Sequence, residues 1–505
     1  DTAGAEEALA ALSEIGFPAD AVSPEEPIRL DEFAYMLMLS HDRSGGVFYT
    51  LFPGPRYALR ELEYERVVRG GGDPNDTLTP ARGLKRMRNS LFLRHTVPAL
   101  LVLLIVTAFP AFSIDVGGNI NTQSTLEDRT PSFRNGFSLY LARNPVVSTS
   151  EPTLRWLAEG SVTAITEEND AEELETEFVP DVDVFRVEML FPRLIGKNTS
   201  ARSVLGRTSY SDRSGLVFSD RIDGTQLDLD FPGASVRIAA GYTGLIAGRN
   251  SGVAVSVDDS LDRSEPDVYS GSQRVLTGVD ARFREVAGRQ NFTVGALAQF
   301  DARGEGEYEA EKINSQYGYL QFDGPVAGDL YYELGAATSV AQRTDVDVDS
   351  GDLLDPELVT GAAGRLQTKA YLGENEHSVI TGLAHYASGA DTIGEYIPVT
   401  APSFDTLRSV SRNDLALAKL DYAYRPFAGE PGAKARSLEV SAYTAVDYPA
   451  NFAVDGPFRG LESGAGVTFR PFSDIGARLV TAGYIPGENV EEPQFLGRLQ
   501  LSTSF

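Results

Sequence analysis

The side chains best suited to chemistry in this chain are carboxylates and guanidiniums, and their arrangement argues for electrostatics rather than catalysis. Only four histidines occur, His41, His95, His377 and His385, and there is no cysteine. The missing cysteines remove disulfides, thiolate metal sites and cysteine nucleophiles together. No phosphate-cradling glycine loop, nucleophile elbow or HExxH pair is present, so neither an enzyme nor a cofactor is expected. A hydrolase at a rim would need His377 or His385 in a pair with Asp or Ser. His385, in TGLAHYASG, reads as a lumen or rim residue, or simply as a polar side chain of a half-exposed strand.

Three acidic runs stand out: Thr166–Glu177, Ser256–Asp267 and Thr344–Glu357. In the last, Asp345, Asp347 and Asp349 alternate as in a calcium loop. Ser350 occupies the place of the invariant glycine, however, and Pro356 that of the bidentate glutamate. A solvated acidic loop is therefore the expectation there. The net charge of −28 excludes nucleic acid as a partner, since a phosphate backbone needs a basic surface.

The remaining charges fall on alternate residues of apolar stretches. In TQLDLDF, Leu227, Leu229 and Phe231 alternate with Gln226, Asp228 and Asp230. In ALAKLDYAYR, Ala418, Leu420, Tyr422 and Tyr424 alternate with Lys419, Asp421 and Arg425. A period of two is the mark of a strand with one oily and one polar face. Forty-nine glycines and twenty-one tyrosines suit such an all-β body. The polar parity collects Arg155, Glu159, Arg186, Glu188, Arg237, Lys419, Asp421, Arg425, Glu439, Arg470 and Arg498, of both signs, as candidates for the lining of a water-filled interior.

Strand candidates of ~9–14 residues suit a tilted bilayer crossing better than a soluble sandwich. Connections alternate between short (231–234, 286–289, 373–376, 472–475) and long (245–274, 342–358, 387–413, 448–462), the habit of transmembrane barrels. About eighteen strands are counted beyond residue 114, in a range of 14–18. The fold expected is an antiparallel up-and-down barrel, with outer-membrane lipid around it. Trp156, Tyr140, Phe191, Tyr317, Tyr319, Tyr331, Tyr332, Tyr371, Tyr443 and Phe469 are candidates for its interfacial aromatic girdles. The last strand, GRLQLSTSF, places Leu499, Leu501, Thr503 and Phe505 on one face. That ending resembles the C-terminal signature of bacterial outer-membrane β-barrels. The resemblance implies a porin-like fold in the outer membrane and recognition of these four residues by the barrel assembly machinery.

Residues 87–113, MRNSLFLRHTVPALLVLLIVTAFPAFS, have a basic lead, an uncharged apolar run from Val97 to Phe109, and small residues Ala111 and Ser113 before Ile114. This is the grammar of an export signal. A retained transmembrane helix or a buried core helix are the other readings. Residues 1–86 form a small helical region with two similar halves, beginning at Ala8 and Ala58. VSPEEPIRLDEFAYMLM and DPNDTLTPARGLKRM within it resemble the S-layer-homology module. That resemblance implies tethering to peptidoglycan. The second half lacks the acidic-aromatic pair found at Asp31, Glu32 and Phe33.

Taken together, the sequence leads to an outer-membrane barrel for passive diffusion of small hydrophilic solutes. Its acidic outer loops suggest a cation lean. The alternative is a wall-anchored surface protein held by residues 1–86.

Overall fold

A computed structural model of the chain describes residues 29–64 and 115–505, except 41–44, 52, 128–129, 144–150, 169–173, 195, 197, 266–267, 305–309, 348–351, 374–376, 391, 393, 403, 405, 407–412, 428–437, 452–458 and 488–492. The apolar stretch 87–113 and most of the second helical half lie outside the described residues.

Three helices come first: α1 (Leu30–Ser40), α2 (Val47–Leu51) and α3 (Pro55–Tyr64). The first seven strands are β1 (Asp115–Glu127), β2 (Thr130–Arg143), β3 (Thr153–Glu168), β4 (Leu174–Pro192), β5 (Ser200–Ser211), β6 (Ser219–Asp230) and β7 (Ala234–Tyr242). A 3₁₀ turn, Gly248–Asn250, and helix α4 (Val257–Ser264) interrupt them. There follow β8 (Arg274–Ala287), β9 (Gln290–Asp301), β10 (Glu311–Ala327), β11 (Leu330–Asp345), β12 (Glu357–Leu372) and β13 (Ser378–Ala387). The last five are β14 (Leu415–Tyr424), β15 (Leu438–Tyr448), β16 (Gly460–Phe472), β17 (Ile475–Pro486) and β18 (Gln494–Ser504).

Every strand pairs antiparallel with its neighbours in sequence, and β1 also pairs with β18 along Asn119–Glu127. The sheet is thus a closed ring of eighteen strands, as expected. Closure satisfies the backbone of both terminal strands, which an open sheet would leave unpaired in lipid.

Alternation decides which face each residue takes. On β14, Leu420 and Tyr422 are 54% and 44% exposed, while Lys419 between Ala418 and Leu420 is 6% exposed. Leu205, Phe185, Val467 and Leu501 belong to the same outward apolar set. So much exposed leucine, valine and phenylalanine would be a liability in water; here it forms the band that meets lipid.

The connections sort by end. Those after β6, β8, β10, β12 and β16 are tight turns, and they share one end of the ring with the chain terminus. Those after β7, β11, β13 and β15 are longer and lie at the other, outer end. Two depart from the expected alternation. Only residues 128–129 separate β1 from β2 at the outer end, whereas 425–437 join β14 to β15 at the turn end. A hairpin of paired registers (Glu127 opposite Thr130) explains the first.

In the helical region, α1 starts where the acidic-aromatic triplet lies. Asp31 and Glu32 are spent locally: Asp31 pairs with Arg29 at 2.5 Å, and Glu32 accepts from the Arg29 backbone at 3.0 Å. Phe33 is buried with Leu37, Leu59 and Leu62 in a small core of its own.

Lipid-facing and inward positions should respond oppositely to charge. Leu420→Arg is expected to cost about 2–4 kcal/mol of folding free energy in a bilayer. Ser441→Arg, on the inner wall, should fold at the wild-type yield. Gel-mobility assays of refolding into lipid vesicles measure both.

Candidate functional site: a half-filled lumen

An eighteen-strand ring is wide enough to hold water, but here three outer connections turn inward. They are residues 212–218 between β5 and β6, and the described residues of 243–273 between β7 and β8 and of 388–414 between β13 and β14. The loops are knitted by their own backbones. The Val399 amide donates to the Val217 carbonyl at 2.9 Å, and Ala254 donates to Val399 at 3.3 Å. Tyr396 Oη donates to the Leu216 carbonyl at 3.1 Å, and Tyr317 Oη reaches from the wall to the Ile397 carbonyl at 2.6 Å. Leu216, Val217, Phe218, Val253, Tyr396 and Val399 are each at most 1% exposed. They pack against Leu276, Leu297, Ile313 and Ala337 of the inner wall. That sector of the lumen is therefore largely filled by protein, with a cavity of about 490 Å³ left between the second and third loops and Glu311, Ile313 and Arg343 of the wall.

Local chemistry explains why these loops turn in. The Asp212 carboxylate accepts from the amides of Ser214, Val217 and Phe218 at 2.8–3.0 Å, curling the short loop over its own side chain. Gly361 and Gly394 permit the closest approach of the third loop to β12. A Cβ on Gly361 would meet the backbone of Glu395 and Tyr396, and Gly394 has φ +106°.

The second loop is held by buried charge. Ser256 caps α4 in a capping box with Asp259. Arg274 pairs with Asp259 and Asp301, each at 2.7 Å, and Arg303 pairs with Asp258 and Asp301, each at 2.6 Å. All five residues are at least nine-tenths buried. Burial opposes the Asp259 carboxylate, but the charge and hydrogen bond of Arg274, with the Ser256 and Val255 amides, outweigh it. The result is a pKa below the ordinary 3.8. From sequence the run 256–267 is expected only to lie on the outer side; two of its acids, Asp258 and Asp259, are consumed by arginines presented from the strand ends.

The charged candidates separate into groups. Lys419, Asp421, Glu439 and Arg498 share a cavity of about 330 Å³ with Arg478, Tyr443 and Gln500. Lys419 pairs with Asp421 at 2.9 Å, and Arg425 with Glu439 at 2.7 Å. A second cavity, of about 390 Å³, holds Arg155, Arg186, Glu188 and Arg202. In it Glu188 receives Arg186 at 2.7 Å and Arg202 at 2.8 Å. Arg237 lies elsewhere, on Asp280 at 2.8 Å beneath the filled sector. Glu159 lines a cavity at the turn end. Arg470, at the same end, donates to the Ser473 carbonyl at 3.2 Å.

Parity along the strands found these residues. It missed Arg274, Arg303, Asp301 and Arg213, whose ion pairs tie the in-folded loops to the strands, and no sequence signal announces an in-folded loop.

The remaining candidates fare unevenly. Tyr317 and Tyr319, expected in a girdle, are each 3% exposed on the inner wall. Tyr443 bonds Glu462 inside, and Tyr140 also faces inward, to Arg56. Position near a strand end had suggested the girdle, but parity turns these rings into the lumen. Phe469 stands on the outer face. His385, expected half-exposed, is buried, with its ring edge-on to Phe404 at 4.8 Å. Of the weak calcium candidates, Asp349 lies outside the described residues. Asp345 and Asp347 flank a β-bridge between Val346 and Leu353, and no group of three acidic or histidine side chains among the described residues could hold a metal. Leu499 and Leu501 face outward. Phe505 exchanges backbone hydrogen bonds with Gly118 at 2.9 and 3.0 Å.

The closed ring, its lipid-facing band and its charged inner wall define a transmembrane β-barrel of the bacterial outer-membrane kind, porin-like in architecture. Solved structures similar to it include three from Pseudomonas aeruginosa: OccK9 (OpdG), OpdQ and the outer membrane protein OpdK. Their identities to this chain are 14%, 10% and 12%, each with a TM-score of 0.48. The similarity spans 78% of this chain and 98%, 99% and 99% of theirs. No family model matches the chain, and no curated protein matches it in sequence.

The buried clamp is directly testable. Asp259→Asn leaves the fully buried Arg274 with one carboxylate fewer and should cost about 3 kcal/mol, read as a lower thermal unfolding midpoint in detergent. The depressed pKa of Asp259 sets the sign with pH. Its contribution is intact above the ordinary aspartate value and is lost as pH falls through the lower folded value. Current noise from loop opening should therefore appear below about pH 3.8 and not at pH 5.

Proposed function

We propose that the barrel is a passive diffusion channel for small hydrophilic solutes in the bacterial outer membrane, with no chemistry of its own. The observation that carries this reading is the uneven filling of the lumen. Loops pack against the wall from β5 to β13 and reach onto parts of β2, β3, β4 and β14, where Asn250, Ala247, Tyr269 and Phe404 make contact. The wall from β14 through β18 to β4 keeps charged and polar side chains around two cavities. Solutes crossing there meet opposed charges at close range, which selects by size and polarity.

Ionic preference depends on which charges face that open sector. Acidic outer loops favour cations at the mouth, but two acids of the second run are already paired. Deeper in, Arg478 and Arg498 line the open cavity and form no ion pair among the described residues. Charges on the lumen wall weigh more than those at the mouth, because field lines focus between low-dielectric walls. We therefore assign a mild anion preference, in place of the cation lean suggested by the loops. The same reading assigns Leu499, Leu501, Thr503 and Phe505 to recognition by the barrel assembly machinery.

Reversal potentials in a planar bilayer under a potassium chloride gradient test the assignment. The wild type should favour chloride, and Arg478→Gln with Arg498→Gln should move the ratio toward potassium. Absence of any conductance would defeat the channel itself; a double variant with an unchanged ratio would defeat only the role of the two arginines.

A further inference from the structure

The two shorter helices do not merely precede the barrel; they sit in its turn-end mouth. Arg56 of α3 directs its guanidinium at the Val116 carbonyl, the Tyr140 hydroxyl and, at 3.2 Å, the Phe505 carbonyl. Arg60, one turn on, donates to the Ser504 carbonyl at 3.2 Å and reaches the Ser504 hydroxyl. Tyr64 Oη donates to the Arg470 carbonyl on the far side of β18. From α2, the Phe48 amide donates to Asp474 at 2.6 Å, and the Phe48 ring lies 6.0 Å from that of Phe505.

These contacts reach the inner wall as well as the rim. Arg56, Arg60 and Glu63 enclose a cavity with Asn119, Ser138, Tyr140 and Glu159, which share the inward parity of β1, β2 and β3. Gly117 is part of the fit, since a Cβ there would meet the Arg56 guanidinium.

We propose that α2 and α3 are a plug, a segment of this chain that closes the turn-end mouth beneath the open sector of the lumen. The chemistry is specific to this place. The Phe505 carbonyl already accepts from Gly118 in the sheet, and a carbonyl has room for a second donor; two guanidiniums one helical turn apart add donors to the carbonyls of Val116, Ser504 and Phe505 where β1 and β18 meet. The plug rests on the channel reading, since it closes the sector assigned to solutes. It also requires the helices and the barrel to share one compartment, with stretch 97–109 neither cut nor inserted in a membrane.

The absence of cysteine makes a clean lock possible. A Cβ at Gly46 would lie 3.0 Å from the Ser473 hydroxyl, close enough for a disulfide between Gly46→Cys and Ser473→Cys. The experiment compares single-channel conductance of the refolded full chain in four forms: wild type, Arg56→Ala with Arg60→Ala, and the cysteine pair oxidised and reduced. The expected result is a conductance severalfold higher in the arginine double variant than in the wild type. The oxidised pair should conduct less than the reduced pair, which guards against a variant that merely misfolds. Equal, non-zero conductance in all four forms overturns the plug and leaves the channel standing. Silence in all four overturns the channel reading instead. Protein extracted from membranes with its first residue near Ile114 also overturns the plug.

Discussion

Everything in this molecule depends on one requirement: in lipid, a backbone amide or carbonyl without a partner costs several kcal/mol. The pairing of β1 with β18 meets it by removing both edges of the sheet. Once the ring is closed, its outer face must be apolar and its inner face is free to be charged. Leu420 and Lys419, neighbours in sequence, go to opposite environments for that reason alone. Successive connections then fall on opposite ends, because consecutive antiparallel strands leave no other choice.

The interior follows a second logic. A ring of this circumference has more room than small-solute passage needs, and the chain fills part of it with its own outer connections. The filling is apolar where loops meet the wall and ionic where loops must be held in place. Arg274 and Arg303 with three aspartates form a buried net that no water can replace cheaply. The opposite wall keeps its charges paired in small groups, except where Arg478 and Arg498 face the cavity. On the channel reading, solute selection and stability thus fall to two sides of one lumen.

Much of this was legible in the amino-acid order, and the reason is periodicity. Alternation of Leu227, Leu229 and Phe231 with Gln226, Asp228 and Asp230 is local and survives any uncertainty about neighbours, so strand number, closure and the inward set could be read. The in-folded loops could not. Val217 and Val399 carry no mark that they will bond to each other, since their meeting depends on the curvature of the whole ring. The misplacement of Tyr317 has the same origin, since its hydroxyl meets the Ile397 carbonyl of an in-folded loop, whereas the Tyr319 hydroxyl meets Asp280 across the inner wall. His385 looked half-exposed because Phe404, its cover, lies in a connection with no regular pattern.

The hydrogen bond from Tyr396 to Leu216 spans 180 positions. Contacts at that separation carry a large loop-closure penalty in a free chain and become cheap only after intervening elements have been fixed. The interior must therefore condense late, after the wall has zipped shut around it. A newly inserted molecule would pass through a stage of full bore before its interior settles, and the final aperture would be the last property it acquires.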